Sequence, residues 1–171
     1  MTTVATTTPR VEPANIQVFR VYINAPAERI WQAISSGELS GKYGYGGTIE
    51  ADLQAGGDYR HKASAQMLQM GLPAVVVTGQ VIESDPPHRL VHMWNPIWND
   101  DPDTRLTWEI TTGSNGLSCV TLTHELLGAV ATAAEVAGGG DPENGGGGWP
   151  WVLSSLKTYL ETGDVMPGSG G

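Results

Sequence analysis

Two histidines and three tryptophans are the side chains of this sequence best suited to binding or to acid–base chemistry. His92 and Trp94 alternate along one predicted strand, Trp108 and His124 lie on two later strands, and Trp149 begins the last helix. An imidazole titrates near neutral pH and can act as a general acid or base. An indole offers a wide apolar face with one N–H donor. The pattern indicates either an enzyme with His92 and His124 as catalytic residues or a binding pocket with two polar contacts. The structural alternative is that backbone groups or threonine hydroxyls satisfy both imidazoles.

Glycine supplies a different kind of reactive group. The chain has 23 glycines in 171 residues, enough for some to stand beside a cavity. A glycine Cα–H is easily lost to a carbon radical, because the resulting radical is stabilised by the flanking amides and meets no side chain. A protein that traps a diradical would present such a glycine, and Gly113 is the predicted sacrificial site, with Gly71 and the run 138–148 as further candidates. The alternative for each glycine is ordinary turn formation.

A predicted hairpin of residues 104–112 and 117–125 positions Trp108 and His124. The three-residue loop Ser114-Asn115-Gly116 would pair Gly113 with Leu117, and Gly116 would take the left-handed conformation that such a loop requires. Paired residues share a face of the sheet. The predicted pairs are Ile110 with Val120, Trp108 with Leu122, and Leu106 with His124. A two-residue turn would instead place each apolar residue opposite a polar one.

The remaining pocket residues come from a strand over 89–94 and from the last helix. Leu90, His92 and Trp94 share one face of that strand. The apolar stripe of the helix over 149–161 consists of Trp149, Val152, Leu153, Leu156 and Leu160. If both surfaces face inward, the ligand-binding residues are Trp94, Trp108, Trp149, Leu153, His92 and His124. The alternative is that the tryptophans fill a solid core.

The order of elements predicts the fold class. Short antiparallel strands account for most of the chain before residue 126, with one amphipathic helix after residue 26 and a loop over 67–72. The first strand, 16–24, is apolar on both faces and is predicted to be covered on both. A segment over 126–137 is predicted as a short helix or lid, and the glycine-rich run 138–148 as a flexible joint before the last helix. The prediction is an α+β helix-grip fold, a curved antiparallel sheet wrapped around a long C-terminal helix. A single domain over 16–163 is expected, with a disordered tail over 1–15 and a loose tail over 164–171.

Composition limits the partners. The net charge of −9 argues against nucleic acid and against an anionic membrane surface. A single cysteine, Cys119, cannot form an internal disulfide and fits a cytoplasmic location, as does the absence of a signal-like apolar segment. No apolar run approaches the ~20 residues of a membrane span. Spacings typical of metal ligands are absent, so neither a metal nor another cofactor is predicted.

Seven segments of the chain resemble one known family in order. They are residues 24–31, 55–60, 85–94, 106–110, 121–125, 148–153 and 157–163. They resemble the Hsp90-ATPase-activator-like (AHSA1-type) branch of the START/SRPBCC polyketide-cyclase superfamily over residues 16–163. The resemblance implies a helix-grip fold with a cavity between the sheet and the helix.

The resemblance also implies several functions. One is the sequestration of an apolar or aromatic natural product or lipid, and its sharper form is enediyne self-resistance through stoichiometric cleavage at a glycine. A second is a cyclase or dehydratase with a cavity histidine. A third is an Hsp90 co-chaperone-like module. Hsp90 is not the expected partner, since the co-chaperone that names the branch carries a further domain.

Overall fold

The computed structural model describes residues 15–169. The predicted tail over residues 1–15 therefore lies, apart from Asn15, outside the described residues. Within residues 15–169, seven strands and five α-helices follow one another. The strands are β1 (Ile16–Ile23), β2 (Ile49–Ala51), β3 (Asp58–Lys62), β4 (Val75–Asp85), β5 (Arg89–Pro96), β6 (Thr104–Thr112) and β7 (Ser118–Glu125). The helices are α1 (Ala27–Ser35), α2 (Gly37–Ser40), α3 (Ala65–Gln69), α4 (Val130–Ala137) and α5 (Gly148–Thr162), with a 3₁₀ turn at Pro142–Asn144.

The strands form one antiparallel sheet in the order β1-β7-β6-β5-β4-β3-β2. Pairing irregularities between His61 and Lys62 and between Val81 and Glu83 interrupt the ladders. Such irregularities bend a strand and increase its twist, which helps the sheet to curve around α5. The predicted α+β helix-grip fold is confirmed.

The predicted register of the β6–β7 hairpin is also confirmed. Trp108 lies opposite Leu122 and Leu106 opposite His124. The Gly113 N–H donates to the Leu117 carbonyl over 2.9 Å, and Gly116 has a φ of +82°, as the three-residue loop requires. The side chains of this hairpin therefore face the direction that the sequence predicts.

Two helices cover the concave face of the sheet. The first, α1, buries Ala27, Ile30, Trp31 and Ile34 at helical spacing, as predicted. The last, α5, buries Trp149, Leu153 and Leu156. The Ser155 hydroxyl of α5 accepts from the Gly44 N–H over 3.0 Å and lies 2.6 Å from the Ser169 hydroxyl. Part of the segment predicted as a loose tail thus packs on α5, where Ser169 is buried.

Two local predictions are wrong. The strand β1 was predicted to be covered on both faces, but it is an edge strand, and Ile16, Val18 and Tyr22 are each 56% exposed. Residues 67–72 were predicted as a loop, but α3 begins at Ala65, where the Ser64 hydroxyl accepts from the Met67 N–H over 3.2 Å. This is an ordinary N-cap bond.

The glycine-rich run between α4 and α5 is closely packed. A Cβ on Gly148 would stand 2.4 Å from the Val136 carbonyl oxygen, and Gly148 has a φ of +60°. The Gly140 N–H donates to the Gly146 carbonyl, and the Gly146 N–H donates to the Asp141 carbonyl. Several of these glycines therefore permit close backbone approach, a requirement distinct from the flexibility that the sequence predicts.

Candidate functional site

A cavity of about 610 Å³ lies between the concave sheet and the helices. Its walls come from β2 to β6, from α3 and α4, and from the first residues of α5, with loops closing the gaps. Apolar and aromatic side chains dominate the walls, which is the usual character of a small-molecule pocket. The space between the sheet and α5 is therefore not filled by side chains, and it has the size and lining of a ligand pocket.

Three tryptophans from three different elements line the cavity together. Trp149 of α5 stands between Trp94 of β5 and Trp108 of β6, with ring centroids 5.5 Å and 5.7 Å away. The Trp108 and Trp149 rings meet edge to face at 86°, a geometry that aromatic pairs prefer. The structure thus brings together the three tryptophans that the sequence assigns to the pocket.

A chain of hydrogen bonds fixes Trp149 from behind. Its Nε1–H donates to Nδ1 of His124 over 3.1 Å, and Nε2 of His124 lies 2.8 Å from the Thr104 hydroxyl. The Thr104 hydroxyl donates in turn to the Trp94 carbonyl over 3.1 Å. Because an indole N–H can only donate, His124 is neutral with its proton on Nε2. The network ties α5 to three strands, β7, β6 and β5, and uses both nitrogens of His124.

His92 occupies a second buried position behind the wall. Its Nδ1 lies 2.9 Å from the Met93 carbonyl oxygen and therefore carries the proton, and its ring stacks on Tyr59 at 3.8 Å. Its Nε2 has no hydrogen-bond partner among residues 15–169. Protonation of this Nε2 would create a buried positive charge with no partner among these residues, so the neutral imidazole is favoured.

Burial sets the protonation of both histidines. It lowers the pKa of His92 to about 4, against the raising effect of the Met93 carbonyl, and lowers the pKa of His124 to about 3. Both side chains are fully buried, and neither lines the cavity; Leu153 is also buried outside the cavity lining. Of the six predicted ligand-binding residues, the three tryptophans line the cavity and the other three support it. In this position His92 and His124 are neutral and are not among the side chains that a ligand would meet.

Two wall residues on β3 were missed by the sequence analysis. Tyr59 and His61 face the cavity, while Asp58 before them and Arg60 between them are exposed. The alternation of aromatic and charged residues along 58–62 was a readable signal, since successive strand residues point to opposite faces. Nε2 of His61 lies 3.3 Å from the Gly46 carbonyl, and burial lowers the pKa of His61. His61 thus supplies the cavity with a neutral imidazole.

A second missed feature is the contact between the loop after α2 and the glycine run. The Tyr45 hydroxyl accepts from the Gly147 N–H over 2.8 Å, and the Tyr45 ring stacks on Trp151 at 4.5 Å. Tyr45 and the neighbouring Gly146 both line the cavity. This contact therefore closes one side of the cavity with residues that are about a hundred positions apart.

The predicted sacrificial residue, Gly113, lies in the exposed end of the β6–β7 hairpin and does not line the cavity. Other glycines do line it. They are Gly44, Gly46, Gly145, Gly146, Gly148 and Gly168, three of which belong to the run 138–148 named as a further candidate. Long-range packing decides which of these glycine backbones lie beside the cavity.

The described residues contain no group of three His, Cys, Asp or Glu side chains arranged to hold a metal ion. Within the same range, no helix has the length and apolar character needed to cross a membrane.

An open antiparallel sheet that curves around a terminal helix, with an aromatic cavity between them, defines a START-like helix-grip protein. The model of the family described as "Activator of Hsp90 ATPase homolog 1-like protein" matches residues 24–161, and the chain belongs to that family. The resemblance drawn from the sequence is confirmed. A search of curated proteins gave no significant match.

Solved structures share the fold. CalU16 from Micromonospora echinospora, solved by NMR, is 18% identical with a TM-score of 0.60, and the match covers 91% of this chain and 69% of CalU16. DynU16, a protein in the dynemicin biosynthetic locus, is 19% identical with a TM-score of 0.63, covering 92% of this chain and 50% of DynU16. An Hsp90 activator from Plasmodium falciparum is 20% identical with a TM-score of 0.52, covering 88% and 89%. The chain spans 59% of the CalU16 crystal structure and half of DynU16. At these identities the likeness establishes the fold.

Proposed function

We propose that this protein binds an apolar, aromatic small molecule in the cavity between its sheet and α5. The observation that carries the proposal is the cavity of about 610 Å³ with Trp94, Trp108 and Trp149 on its wall. Burial of roughly 200 Å² of apolar ligand surface at about 25 cal/mol per Å² contributes on the order of 5 kcal/mol. Stacking on the indoles adds to this.

Calorimetric titration with 1-pyrenemethanol, a neutral aromatic probe, tests the proposal. We expect binding with a Kd in about the micromolar range. Met67 on α3 lines the cavity, so Met67→Trp should fill part of it and weaken binding at least about tenfold. Leu68 is the neighbouring residue, is 52% exposed and does not line the cavity. Leu68→Trp should bind normally. Equal affinities for both variants would place the probe elsewhere and contradict the proposal.

Enediyne self-resistance is the sharper form of this proposal. Its support is the structural likeness to CalU16 and to DynU16 of the dynemicin locus, together with the glycines beside the cavity. A drug diradical would take one hydrogen atom from a glycine Cα, forming a C–H bond on the drug. Dioxygen would add to the remaining glycyl radical, and breakdown of that adduct would cleave the chain. The reaction is single-use, because the protein is consumed.

Mass spectrometry after incubation with an activated enediyne distinguishes the candidate glycines. Fragments that end within 44–46 or 145–148 would support the cavity glycines, whereas fragments that end at Gly113 would support the residue predicted from sequence. An intact chain after many drug turnovers would exclude the sacrificial reaction. Simple sequestration would survive that result.

An enzyme that uses a cavity histidine is the second candidate, and the position of His61 on the wall favours it. In a cyclase or dehydratase, His61→Gln should abolish turnover while ligand still binds. If turnover is lost in His92 or His124 variants but not in His61→Gln, the cause would be a disturbed cavity wall, because His92 and His124 do not line the cavity. A third candidate is a co-chaperone-like module. It would be supported if an Hsp90 homologue is pulled down equally well by the unaltered protein and by Met67→Trp, in which the cavity is partly filled.

A further inference from the structure

The charged residues of the cavity are all acidic. Glu135 of α4 and Glu143 of the 3₁₀ turn line it, and no lysine or arginine of the described residues does. The described cations all lie elsewhere. They are Arg20, Arg29, Lys42, Arg60, Lys62, Arg89, Arg105 and Lys157. A bound ligand would therefore meet two carboxylates and no compensating positive side chain.

His61 also lines the cavity, and because its imidazole is neutral it supplies no positive charge there. Its Nε2 is next to the Gly46 carbonyl and must donate to it, so the other ring nitrogen is a lone-pair acceptor. Burial further disfavours the charged imidazolium. A carboxylate or phosphate brought into the cavity would lose its hydration without gaining a cation, which is strongly unfavourable.

One carboxylate at the rim is held beside an exposed indole. Oε2 of Glu135 accepts from the Trp98 Nε1–H over 2.7 Å and from the Asn99 side-chain amide over 3.3 Å. Trp98 is 49% exposed and also lines the cavity. Neither Glu135 nor Glu143 forms an ion pair with any of residues 15–169. An exposed indole beside a carboxylate that has no ion-pair partner among these residues suits an ammonium group.

We propose that the rim formed by Trp98, Glu135 and Glu143 recognises a protonated amine on the ligand. The cavity then takes cationic aromatic molecules, in which the apolar part lies among the inner tryptophans and the amine stays at the rim. It takes neutral aromatic molecules more weakly and rejects carboxylates and phosphates. This inference rests on the proposed binding function and names its ligand class.

Three probes that share one ring system test the charge preference at pH 7. They are 1-pyrenemethylamine, 1-pyrenemethanol and 1-pyrenecarboxylate. We expect the amine to bind about three- to tenfold more tightly than the alcohol, a range set by exposed ion pairs and cation–π contacts. The carboxylate should bind more weakly than both. The advantage of the amine should shrink as salt rises, while the affinity for the alcohol stays constant.

Two double variants that remove the same number of charges distinguish the effect of the rim carboxylates on amine binding from the effect of the overall negative charge of the protein. Glu135→Gln/Glu143→Gln should remove most of the advantage of the amine and leave alcohol binding unchanged. Glu28→Gln/Glu38→Gln removes the same number of charges from residues that do not line the cavity, and it should preserve that advantage. Trp98→Leu should weaken amine binding more than alcohol binding.

Two results would overturn the inference in distinguishable ways. If the carboxylate binds as tightly as the amine, or if both double variants behave alike, the rim does not select charge although the cavity still binds aromatic molecules. If none of the three probes binds, the proposed binding function fails and the inference fails with it.

Discussion

The indole nitrogen of Trp149 donates to Nδ1 of His124 across 3.1 Å of buried space. This bond joins the second residue of α5 to β7, and His124 passes the connection on to Thr104 of β6. A buried acceptor that loses its donor costs free energy, because no water replaces the partner. The bond therefore positions the tryptophan that stands between Trp94 and Trp108 on the cavity wall.

Removal of this donor should destabilise the protein. Trp149→Phe keeps an aromatic ring but leaves Nδ1 of His124 without a partner, at an expected cost of about 1–3 kcal/mol beyond the loss of ring area. Urea denaturation measures the free energy of unfolding. Nitrogen NMR of His124 should show the Nε2–H tautomer in the native protein and a disturbed signal in the variant.

The matched control is Trp31→Phe. Trp31 is buried to a similar degree on α1, and its ring nitrogen makes no hydrogen bond to residues 15–169. It should lose only the contribution of ring area. If the two variants lose the same stability, the Trp149–His124 bond contributes nothing measurable.

Stability should fall as pH falls below about 6.5. Burial lowers the folded-state pKa of His92 to about 4 and that of His124 to about 3, against 6.5 in an unfolded chain. Between these values the unfolded chain binds more protons, so the free energy of unfolding decreases with decreasing pH. These two groups should contribute about 2.7 kcal/mol per unit to the slope between pH 6 and pH 5, and His61, whose pKa burial also lowers, adds to it in the same direction. Urea titrations at pH 7, 6, 5.5 and 5 measure it.

His88 supplies the control, because its side chain is exposed at the β4–β5 turn. His88→Gln should leave the slope unchanged, whereas a folded His124→Gln protein should lose up to about 1.4 kcal/mol per unit of it. Histidine NMR shifts of the unaltered protein give an independent readout. Protonation of either buried imidazole at pH 6 in the folded state would contradict this account.

Alanine substitutions can test whether the glycines of the run 138–148 are needed for close packing or only for flexibility. Gly148→Ala must place a Cβ at positive φ and 2.4 Å from the Val136 carbonyl oxygen. The φ alone costs about 1–2 kcal/mol, and the clash adds to it. Gly139 also has a positive φ, but its Cβ would meet nothing within 4 Å. Gly139→Ala should therefore cost much less in urea denaturation, whereas equal losses would favour the flexible joint.

The sequence was informative wherever a short alternation decided the direction of a side chain. The pairs around Trp108 and His124 followed from turn length and polarity alone. Strand alternation placed Trp94 on one face with Leu90 and His92, but the sequence left open whether that face points inward. The same logic would have found Tyr59 and His61. The distinction between a residue that lines the cavity and one that lies behind it was not predictable. His92 and His124 share the inward faces of their strands with the tryptophans, and only the packing of Tyr59 and Trp149 over them hides them.

The closure of the cavity was not predictable for a different reason. Tyr45 meets Gly147 and Trp151 across about a hundred residues, and nothing local to either segment indicates the contact. For Gly113, the local pattern correctly indicates a turn. Whether a turn borders the cavity depends on the whole topology.

Tyr45→Phe tests whether this contact guards the cavity. The variant keeps the ring on Trp151 but removes the acceptor of the Gly147 N–H, at an expected cost of about 0.5–1.5 kcal/mol. Local opening of the glycine run should become more frequent, so the Gly147 amide should exchange its hydrogen faster and 1-pyrenemethanol should bind with a higher on-rate. Tyr22→Phe is the control, because Tyr22 is exposed on β1 and its hydroxyl makes no hydrogen bond to residues 15–169. Unchanged exchange at Gly147 together with an unchanged on-rate would mean that ligands reach the tryptophans by another side of the cavity.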